Sequence, residues 1–180
     1  MSISDKNSVA SAKGDFQDNK VVVCSQSDVD SLAQNGYGTR FEKTKLSLSL
    51  YEALFLVDQK RLSVESQNSE ISFPDLLRRS RLVDKDIWAK YVLYRDLRSR
   101  GYVVREGSLG DIGFRVYDRG EYPKKAAKYV VFPVREGKPV RVSYLDEILH
   151  LSESAKKKLI VAVIDRHGET VYYSLTQYSP

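Results

Sequence analysis

Hydrophobic and polar positions follow different patterns in the two halves of the chain. After Gly101 the sequence consists of short runs rich in β-branched and aromatic residues, which are typical of strands. The run from Leu159 to Ile164 is apolar throughout, which predicts a central strand buried on both faces. Between strands, apolar residues at helical spacing predict a helix from Ser143 to about Lys156. The predicted strands are residues 102–105, 113–117, 128–134, 159–164 and 170–175.

The first half of the chain predicts a smaller mixture of helices and strands. Helices are predicted after Ser27, from Ser49 and from Ser72, because a serine at each of these places can cap a helix N-terminus. Residues 1–18 are polar and small, without periodicity, and predict a disordered tail. Short strands are predicted at residues 20–24 and 61–65.

A long helix is predicted to join the two halves. Apolar residues recur at intervals of three and four from about Asp84 to Arg100, and Gly101 ends the helix. The expected fold is therefore α+β, with two small mixed α/β domains. The first domain is expected over residues 19–83, and the second, a mixed β-sheet flanked by helices, over residues 84–180.

Composition narrows the picture only a little. The net charge of +5 and the isoelectric point near 9.2 favour an anionic partner without deciding for nucleic acid. No apolar run is long enough to span a membrane, and the N-terminus lacks the apolar core of a secretory signal. The single cysteine, Cys24, follows three valines and is expected to be a buried structural thiol. A cytoplasmic location is expected.

Residue types alone indicate little chemistry. The sequence has no glycine-rich phosphate loop, no nucleophile elbow and no cluster of residues at metal-ligand spacing. Its two histidines, His150 and His167, fall in a predicted helix and a predicted turn, where a metal role is not expected. No metal or other cofactor is therefore expected.

Six stretches of the chain, four in the second half and two in the first, are informative through their order. They are residues 94–105, Phe114-Arg115-Val116-Tyr117, Lys128-Tyr129-Val130-Val131, residues 155–173, Gly36-Tyr37-Gly38 and residues 46–61. Their order and spacing resemble the archaeal tRNA-intron endonuclease family. The resemblance implies a restriction-endonuclease-like C-terminal domain.

The resemblance also implies a reaction. In this family a 2′-hydroxyl attacks the adjacent phosphorus without a metal, leaving a 2′,3′-cyclic phosphate, and the roles of base, acid and cation fall to a tyrosine, a histidine and a lysine. Tyr117 and Lys157 stand at the tyrosine and lysine positions. The histidine position is occupied by Ala126, whose methyl group cannot donate a proton. The chain is therefore expected to be a non-catalytic, structural subunit.

Contacts with RNA are implied as well. The family's arginine that stacks on the bulged nucleotides is replaced by His150, which is mostly neutral at pH 7. Lys156 and Lys158 are candidates for contacts with the RNA backbone, although they also fit a solvated surface. The expected substrate of the whole assembly is pre-tRNA with a bulge-helix-bulge intron boundary.

Two surfaces are implied for a catalytic paralogue, in an assembly of two catalytic and two structural chains. The strand 170–175 would pair edge to edge with the same strand of the partner, with Val171, Tyr173 and Leu175 on one face. The turn that contains Asp165 and Glu169 resembles the family's acidic docking loop. An ordinary terminal strand and an ordinary hairpin turn are the alternatives.

Two other functions stay open at this point. One is a self-sufficient nuclease that uses Tyr117 and Lys157 without a histidine. The other is an RNA-binding module unrelated to splicing, which would bind RNAs without a bulge-helix-bulge and associate with no endonuclease subunit.

Overall fold

The computed structural model describes residues 11–107 and 113–178, in two compact units. The first unit ends at Trp88 and the second begins at Ala89. This boundary lies inside the predicted joining helix, whereas the expected boundary lay between residues 83 and 84, at the start of that helix. Each unit combines helices with a mixed β-sheet, so the α+β fold class with two small domains is confirmed.

The first unit contains a six-stranded sheet in the order β3-β4-β2-β1-β5-β6. The pairing of β1 with β5 is parallel, and the other pairings are antiparallel. Its elements in chain order are β1 (Ala12–Gln17), β2 (Lys20–Val23), α1 (Gln26–Gln34), β3 (Thr39–Glu42), β4 (Lys45–Leu48), α2 (Leu50–Asp58), β5 (Leu62–Ser66), β6 (Ser69–Glu70) and α3 (Phe73–Val83).

The first strand corrects the predicted tail. Residues 1–10 lie outside the described residues, but residues 12–17 form β1 in the interior of the sheet, so the tail prediction was wrong over that stretch. Ala12 pairs with Leu62 of β5, and Phe16 pairs with Val21 of β2. Ladder hydrogen bonds to two neighbours hold this strand, although its sequence contains few large apolar residues.

Two of the three helix starts in this unit follow the predicted capping residues, whereas α1 begins at Gln26 after Ser25, so the prediction of Ser27 as its cap was wrong. Ser49 caps α2 in a capping box, in which the backbone N–H of Ser49 donates to Glu52 Oε2 at 2.9 Å. The other carboxylate oxygen of Glu52 accepts from the N–H of Gly38 at 3.1 Å. Ser72 caps α3 and accepts from the N–H of Asp75. Glu52 is buried. Without its carboxylate, the N–H groups of Ser49 and Gly38 would lose these hydrogen bonds.

Cys24 is exposed, and the prediction of a buried thiol was wrong. The strand β2 ends at Val23, which is fully buried, and Cys24 is the first residue beyond it. The strand is therefore one residue shorter than the predicted strand 20–24, and Cys24 lies outside it.

The second unit contains a five-stranded sheet in the order β11-β10-β9-β8-β7. The pairing of β9 with β10 is parallel, and the other pairings are antiparallel. The joining helix precedes this sheet. The elements are α4 (Ile87–Ser99), β7 (Val103–Glu106), β8 (Phe114–Tyr117), β9 (Tyr129–Arg135), α5 (Val142–Ser154), β10 (Lys158–Ile164) and β11 (Thr170–Leu175).

Helices lie on opposite faces of the second sheet. On one face, Ile148 and Leu149 of α5 pack against Val130 of β9 and Leu159 of β10. On the other face, the ring of Tyr94 in α4 meets the ring of Phe114 in β8, with centroids 6.1 Å apart. The strand β10 is an interior strand with buried residues on both faces, as predicted, although β9 is the middle strand of the five.

Candidate functional site

Three predicted positions meet at one end of the second sheet. The strand β8 ends at Tyr117, whereas β9 and β10 begin at that same end of the sheet. The register pairs Tyr129 with Val116 on one side and with Lys158 on the other. Two further hydrogen bonds continue this ladder: the N–H of Lys128 donates to the Val116 carbonyl at 3.1 Å, and the N–H of Lys158 donates to the Lys128 carbonyl at 3.0 Å.

The alternation of side chains then places Tyr117 and Lys157 on the same face. Val116, Tyr129 and Lys158 form one row across the three strands, so the next row holds Tyr117, Lys128 and Lys157 and faces the opposite way. This second row shares its face with Val130 and therefore with α5. Two strand spacings separate Tyr117 from Lys157, so their backbones are about 10 Å apart.

Ala126 lies at this same end of the sheet. The segment 118–128 joins β8 to β9, and Ala126 occupies an exposed position in it, two residues before Lys128. The neighbouring Ala127 is buried. The position that the family resemblance assigns to the histidine therefore lies at the sheet end that carries Tyr117 and Lys157, and it holds a methyl group.

Two ion pairs lie within the segment 118–128. Lys128 Nζ lies 3.1 Å from Asp118 Oδ2, and Lys125 Nζ lies 2.6 Å from Glu121 Oε1. The pKa of Lys128 is raised because its ammonium interacts with the Tyr129 side chain and with the Asp118 carboxylate. Both ion pairs are solvent-accessible, and each contributes little to stability by itself.

Tyr117 packs against a second tyrosine that sequence reasoning did not single out. The rings of Tyr117 and Tyr122 are edge to face, with centroids 5.0 Å apart and planes at 81°. The backbone of the segment turns back here, because the N–H of Lys125 donates to the Glu121 carbonyl at 2.9 Å. An aromatic residue a few positions after the family's tyrosine is the sequence signal that would have pointed to this contact.

The predicted RNA-binding residues lie at and after the end of α5. Lys156 and Lys158 are exposed, whereas Lys157 is half-buried and its ammonium donates to the Ala155 carbonyl at 3.1 Å. Lysines after a helix C-terminus interact favourably with the unpaired carbonyls there. Lys157 therefore stabilises the end of α5, whereas Lys156 and Lys158 remain accessible to a ligand.

The two histidines lie in elements other than the segment that carries Ala126. His150 Nε2 lies 3.6 Å from Asp146 Oδ1, one turn earlier in α5, so its imidazole leans away from the helix end that precedes Lys157. His167 lies in the turn after β10, at the far end of that strand from Lys157. The length of β10 separates the two positions by about 20 Å.

The turn between β10 and β11 uses one of its two predicted docking acids internally. Asp165 Oδ1 accepts hydrogen bonds from the N–H groups of His167 and Glu169, each at 2.8 Å. The N–H of Glu169 is the main reason that the pKa of Asp165 is lowered. Asp165 therefore shapes the hairpin, whereas Glu169 is exposed.

The last strand, β11, lies at an edge of the sheet and pairs only with β10 among the described residues. Its two faces differ. Val171 and Tyr173 are 53% and 55% exposed, but Leu175 packs against the core beside α5. Of the three interface residues predicted in this strand, two are therefore accessible and the third belongs mainly to the core. On the other face, Tyr172 donates a hydrogen bond to Asp96 of α4.

Two other kinds of site are absent from residues 11–107 and 113–178. No group of three or more histidine, cysteine, aspartate or glutamate side chains is arranged to hold a metal ion there. No helix in this part of the chain is long and apolar enough to cross a membrane.

Comparison with protein families matches both units. The tRNA intron endonuclease N-terminal domain matches residues 12–77, beginning at the start of β1. The tRNA intron endonuclease catalytic C-terminal domain matches residues 87–173, beginning at the start of α4. The chain belongs to the tRNA intron endonuclease family.

Particular relatives share most of this chain. The tRNA-splicing endonuclease of Methanococcus vannielii is 32% identical over 161 residues, which cover 89% of this chain and 90% of the relative. That of Thermococcus kodakarensis is 28% identical over 87% of this chain and 92% of its own length. The tRNA-splicing endonuclease of Methanosarcina mazei is 32% identical over 88% of this chain, which corresponds to only 44% of that relative.

Proposed function

We propose that this chain is a structural subunit of a tRNA-splicing endonuclease, which supports intron excision by a catalytic paralogue without cleaving RNA itself. Membership of the family gives the context. The observation that carries the proposal is Ala126, an alanine at the sheet end where Tyr117 and Lys157 share a face.

The chemistry of cleavage explains why this one position matters. Expulsion of the 5′-oxygen needs a proton donor at that oxygen, and loss of a general acid slows such reactions by about 10²- to 10⁴-fold. Tyr117 and Lys157 would retain the base and the cation, but neither residue supplies the missing acid. The side chains of Lys125 and Lys128 are engaged by Glu121 and Asp118, so these neighbours are not placed as replacements.

The edge strand β11 supports the second part of the proposal. Its outer backbone groups lack a strand partner among the described residues, and Val171 and Tyr173 add exposed apolar surface beside them. An exposed strand edge of this kind pairs readily with a second chain. We assign this edge to the catalytic paralogue, in a hetero-oligomer with two chains of each kind that acts on intron-containing pre-tRNA in the cytoplasm. Within that complex, the candidates for contacts with RNA are His150, Lys156 and Lys158. The turn with Glu169 is a candidate for docking to the partner.

The test is reconstitution. The purified chain should leave an intron-containing pre-tRNA intact, whereas a mixture with the histidine-bearing paralogue of the same organism should release the intron and 2′,3′-cyclic phosphate ends. The paralogue alone provides the control for its own activity. Cleavage by this chain alone, lost on Tyr117→Phe, would instead establish the self-sufficient nuclease. That alternative is favoured by the shared face of Tyr117 and Lys157.

A further inference from the structure

The outer side of α4 carries two arginines, and a third arginine from the segment after β8 lies beside the end of this helix. We call these residues, Arg95, Arg98 and Arg119, the α4 arginine surface. We propose that it binds the sugar–phosphate backbone of double-stranded RNA. The inference rests on the proposed function, which brings the chain to a folded RNA. It concerns the face of the second sheet opposite to the one that carries Tyr117 and Lys157.

Contacts with two tyrosines hold the arginine side chains. Cζ of Arg95 lies 5.4 Å from the centroid of the Tyr91 ring, one turn earlier in α4. Arg98 Nη1 donates to the Tyr102 carbonyl at 3.4 Å, and Cζ of Arg119 lies 5.8 Å from the centroid of the Tyr102 ring. A guanidinium held on a ring in this way loses less conformational freedom when it binds an anion than a free side chain does.

The backbone brings Arg119 to the end of α4. The first residue of β7 pairs with the last residue of β8, so the segments just before β7 and just after β8 are adjacent. A Cβ at Gly101 would lie 3.4 Å from Arg119 Nε, which shows how closely this side chain approaches the end of the helix. Side-chain alternation places Tyr102 on the face of Phe114, the face that α4 covers.

The protein leaves positive charge on this surface. Arg95 and Arg119 are exposed, and among the described residues no carboxylate lies at ion-pairing distance from either. Asp96 and Asp118, which adjoin them in sequence, form ion pairs with other basic residues. The surface therefore complements an anionic ligand.

The spacing of the arginines suits a polyanion. An α-helix rises about 1.5 Å per residue, so about 10 Å separates Arg95 from Tyr102, beside which Arg119 lies. A nucleic-acid duplex carries a phosphate every few ångströms along its axis, roughly one per 1.7 Å in DNA. One side of a duplex can therefore place phosphates beside all three guanidinium groups.

The covered rings favour paired RNA over the other polyanions. Single strands bind by stacking bases on open aromatic rings, but Tyr91 is 1% exposed and Arg119 lies over Tyr102. A duplex keeps its bases stacked on one another and presents its backbone. An acidic protein partner would add apolar anchors, and the described residues between 89 and 141 expose no large apolar side chain.

The experiment measures fluorescence anisotropy of a short, labelled, fully paired RNA duplex with the full chain and no paralogue. Arg95→Gln/Arg119→Gln should weaken binding about tenfold. It should also flatten the dependence of log affinity on log salt concentration, by about 1 in slope for each lost phosphate contact. The matched control, Arg81→Gln/Arg166→Gln, removes the same charge at exposed arginines elsewhere and should bind like the unaltered chain.

A second variant separates charge from folding. Arg95→Lys/Arg119→Lys keeps both positive charges and should keep the salt slope of the unaltered chain. The urea midpoint of the glutamine variant should match that of its control, because both altered side chains are exposed.

Three outcomes would overturn the inference: unaltered binding by Arg95→Gln/Arg119→Gln, tighter binding of an unpaired RNA of the same length, or equal competition by polyglutamate. None of these measurements requires the paralogue. Failure of the chain to support cleavage would count against the proposed function and leave duplex binding standing, so the two failures are distinguishable.

Discussion

Tyr172 of the edge strand β11 donates a hydrogen bond to Asp96 of α4, across 76 residues of sequence. The same carboxylate accepts from Nε of Arg100 at 2.9 Å and from Nη2 at 3.2 Å, and the guanidinium lies over the Tyr172 ring at 5.5 Å. Asp96 therefore joins its own helix to the last strand of the sheet. This network holds β11 from one face, while Val171 and Tyr173 stay accessible on the other.

Replacing Tyr172 by phenylalanine should destabilise the fold. The variant keeps the ring but removes a hydrogen bond to a charged acceptor, so the free energy of unfolding should fall by about 1–3 kcal/mol in urea denaturation. The matched control is Tyr173→Phe, because the Tyr173 hydroxyl has no hydrogen-bond partner among the described residues. That variant should stay within about 0.5 kcal/mol of the unaltered chain. Equal stabilities of the two variants would refute the role of Asp96.

The same contact predicts a dependence of stability on alkaline pH. Burial raises the pKa of Tyr172 above its ordinary value of 10.0, and the Asp96 carboxylate raises it further. Above about pH 10 the unfolded chain loses this proton while the folded chain keeps it, so the contribution of Tyr172 to stability is complete below pH 10 and declines above it. The stability difference from Tyr172→Phe should shrink as the pH rises, by at most about 1.4 kcal/mol per pH unit. Solvent screening lowers this limit, because Tyr172 is only half-buried.

Glu52 should be one of the more sensitive positions of the first unit. Glu52→Ala leaves the N–H groups of Ser49 and Gly38 without their carboxylate acceptor, at a cost of about 2–4 kcal/mol in the free energy of unfolding. Hydrogen exchange at these two amides should accelerate. Asp58→Ala, at the exposed C-terminal end of the same helix, is the control and should change neither quantity appreciably. Unchanged protection of Gly38 would contradict the assignment.

The sequence predicted most helices and the strands of the second unit, but it missed strands with weak apolar patterns. The inward face of β1 carries Ala12 and Gly14, which pattern reasoning does not count as strand formers. A Cβ at Gly14 would lie 2.6 Å from Val21 Cγ1, so the neighbouring strand requires this small residue. The strand β3, residues 39–42, is exposed throughout and has no buried face to recognise.

The sequence predicted only those residues of the candidate site that match positions of the family's motif. Tyr117, Ala126 and Lys157 were found by resemblance, and the register of the strands places them at one end of the sheet. The contact between Tyr117 and Tyr122 depends on how the segment 118–128 turns back after β8. Local propensities do not specify that turn. The contact between Tyr172 and Asp96 joins distant parts of the chain and has no local signal.

The proposed edge-strand interface predicts the effect of a charge on the exposed face of β11. Val171→Lys places an ammonium where Val171 is 53% exposed, so the chain should fold normally but fail to co-elute with the catalytic paralogue in size-exclusion chromatography. Val142→Lys makes the same change at an 81% exposed valine of α5 and should leave the complex intact. Retention of the complex by Val171→Lys would show that the partner binds elsewhere.

The alanine at position 126 predicts a gain of function. Ala126→His restores a proton donor at the sheet end that carries Tyr117 and Lys157, so cleavage by this chain's own site should rise by about 10²-fold or more. The measurement uses complexes whose paralogue has lost its own histidine, so that any cleaved pre-tRNA reports on this chain. Ala126→Asn, which is polar but does not titrate, is the control and should stay inactive. Adding Tyr117→Phe to Ala126→His should abolish the gained activity, because the proposed general base is then lost. If Ala126→His remained inactive in an intact complex, a histidine at position 126 would not be sufficient for cleavage by this chain.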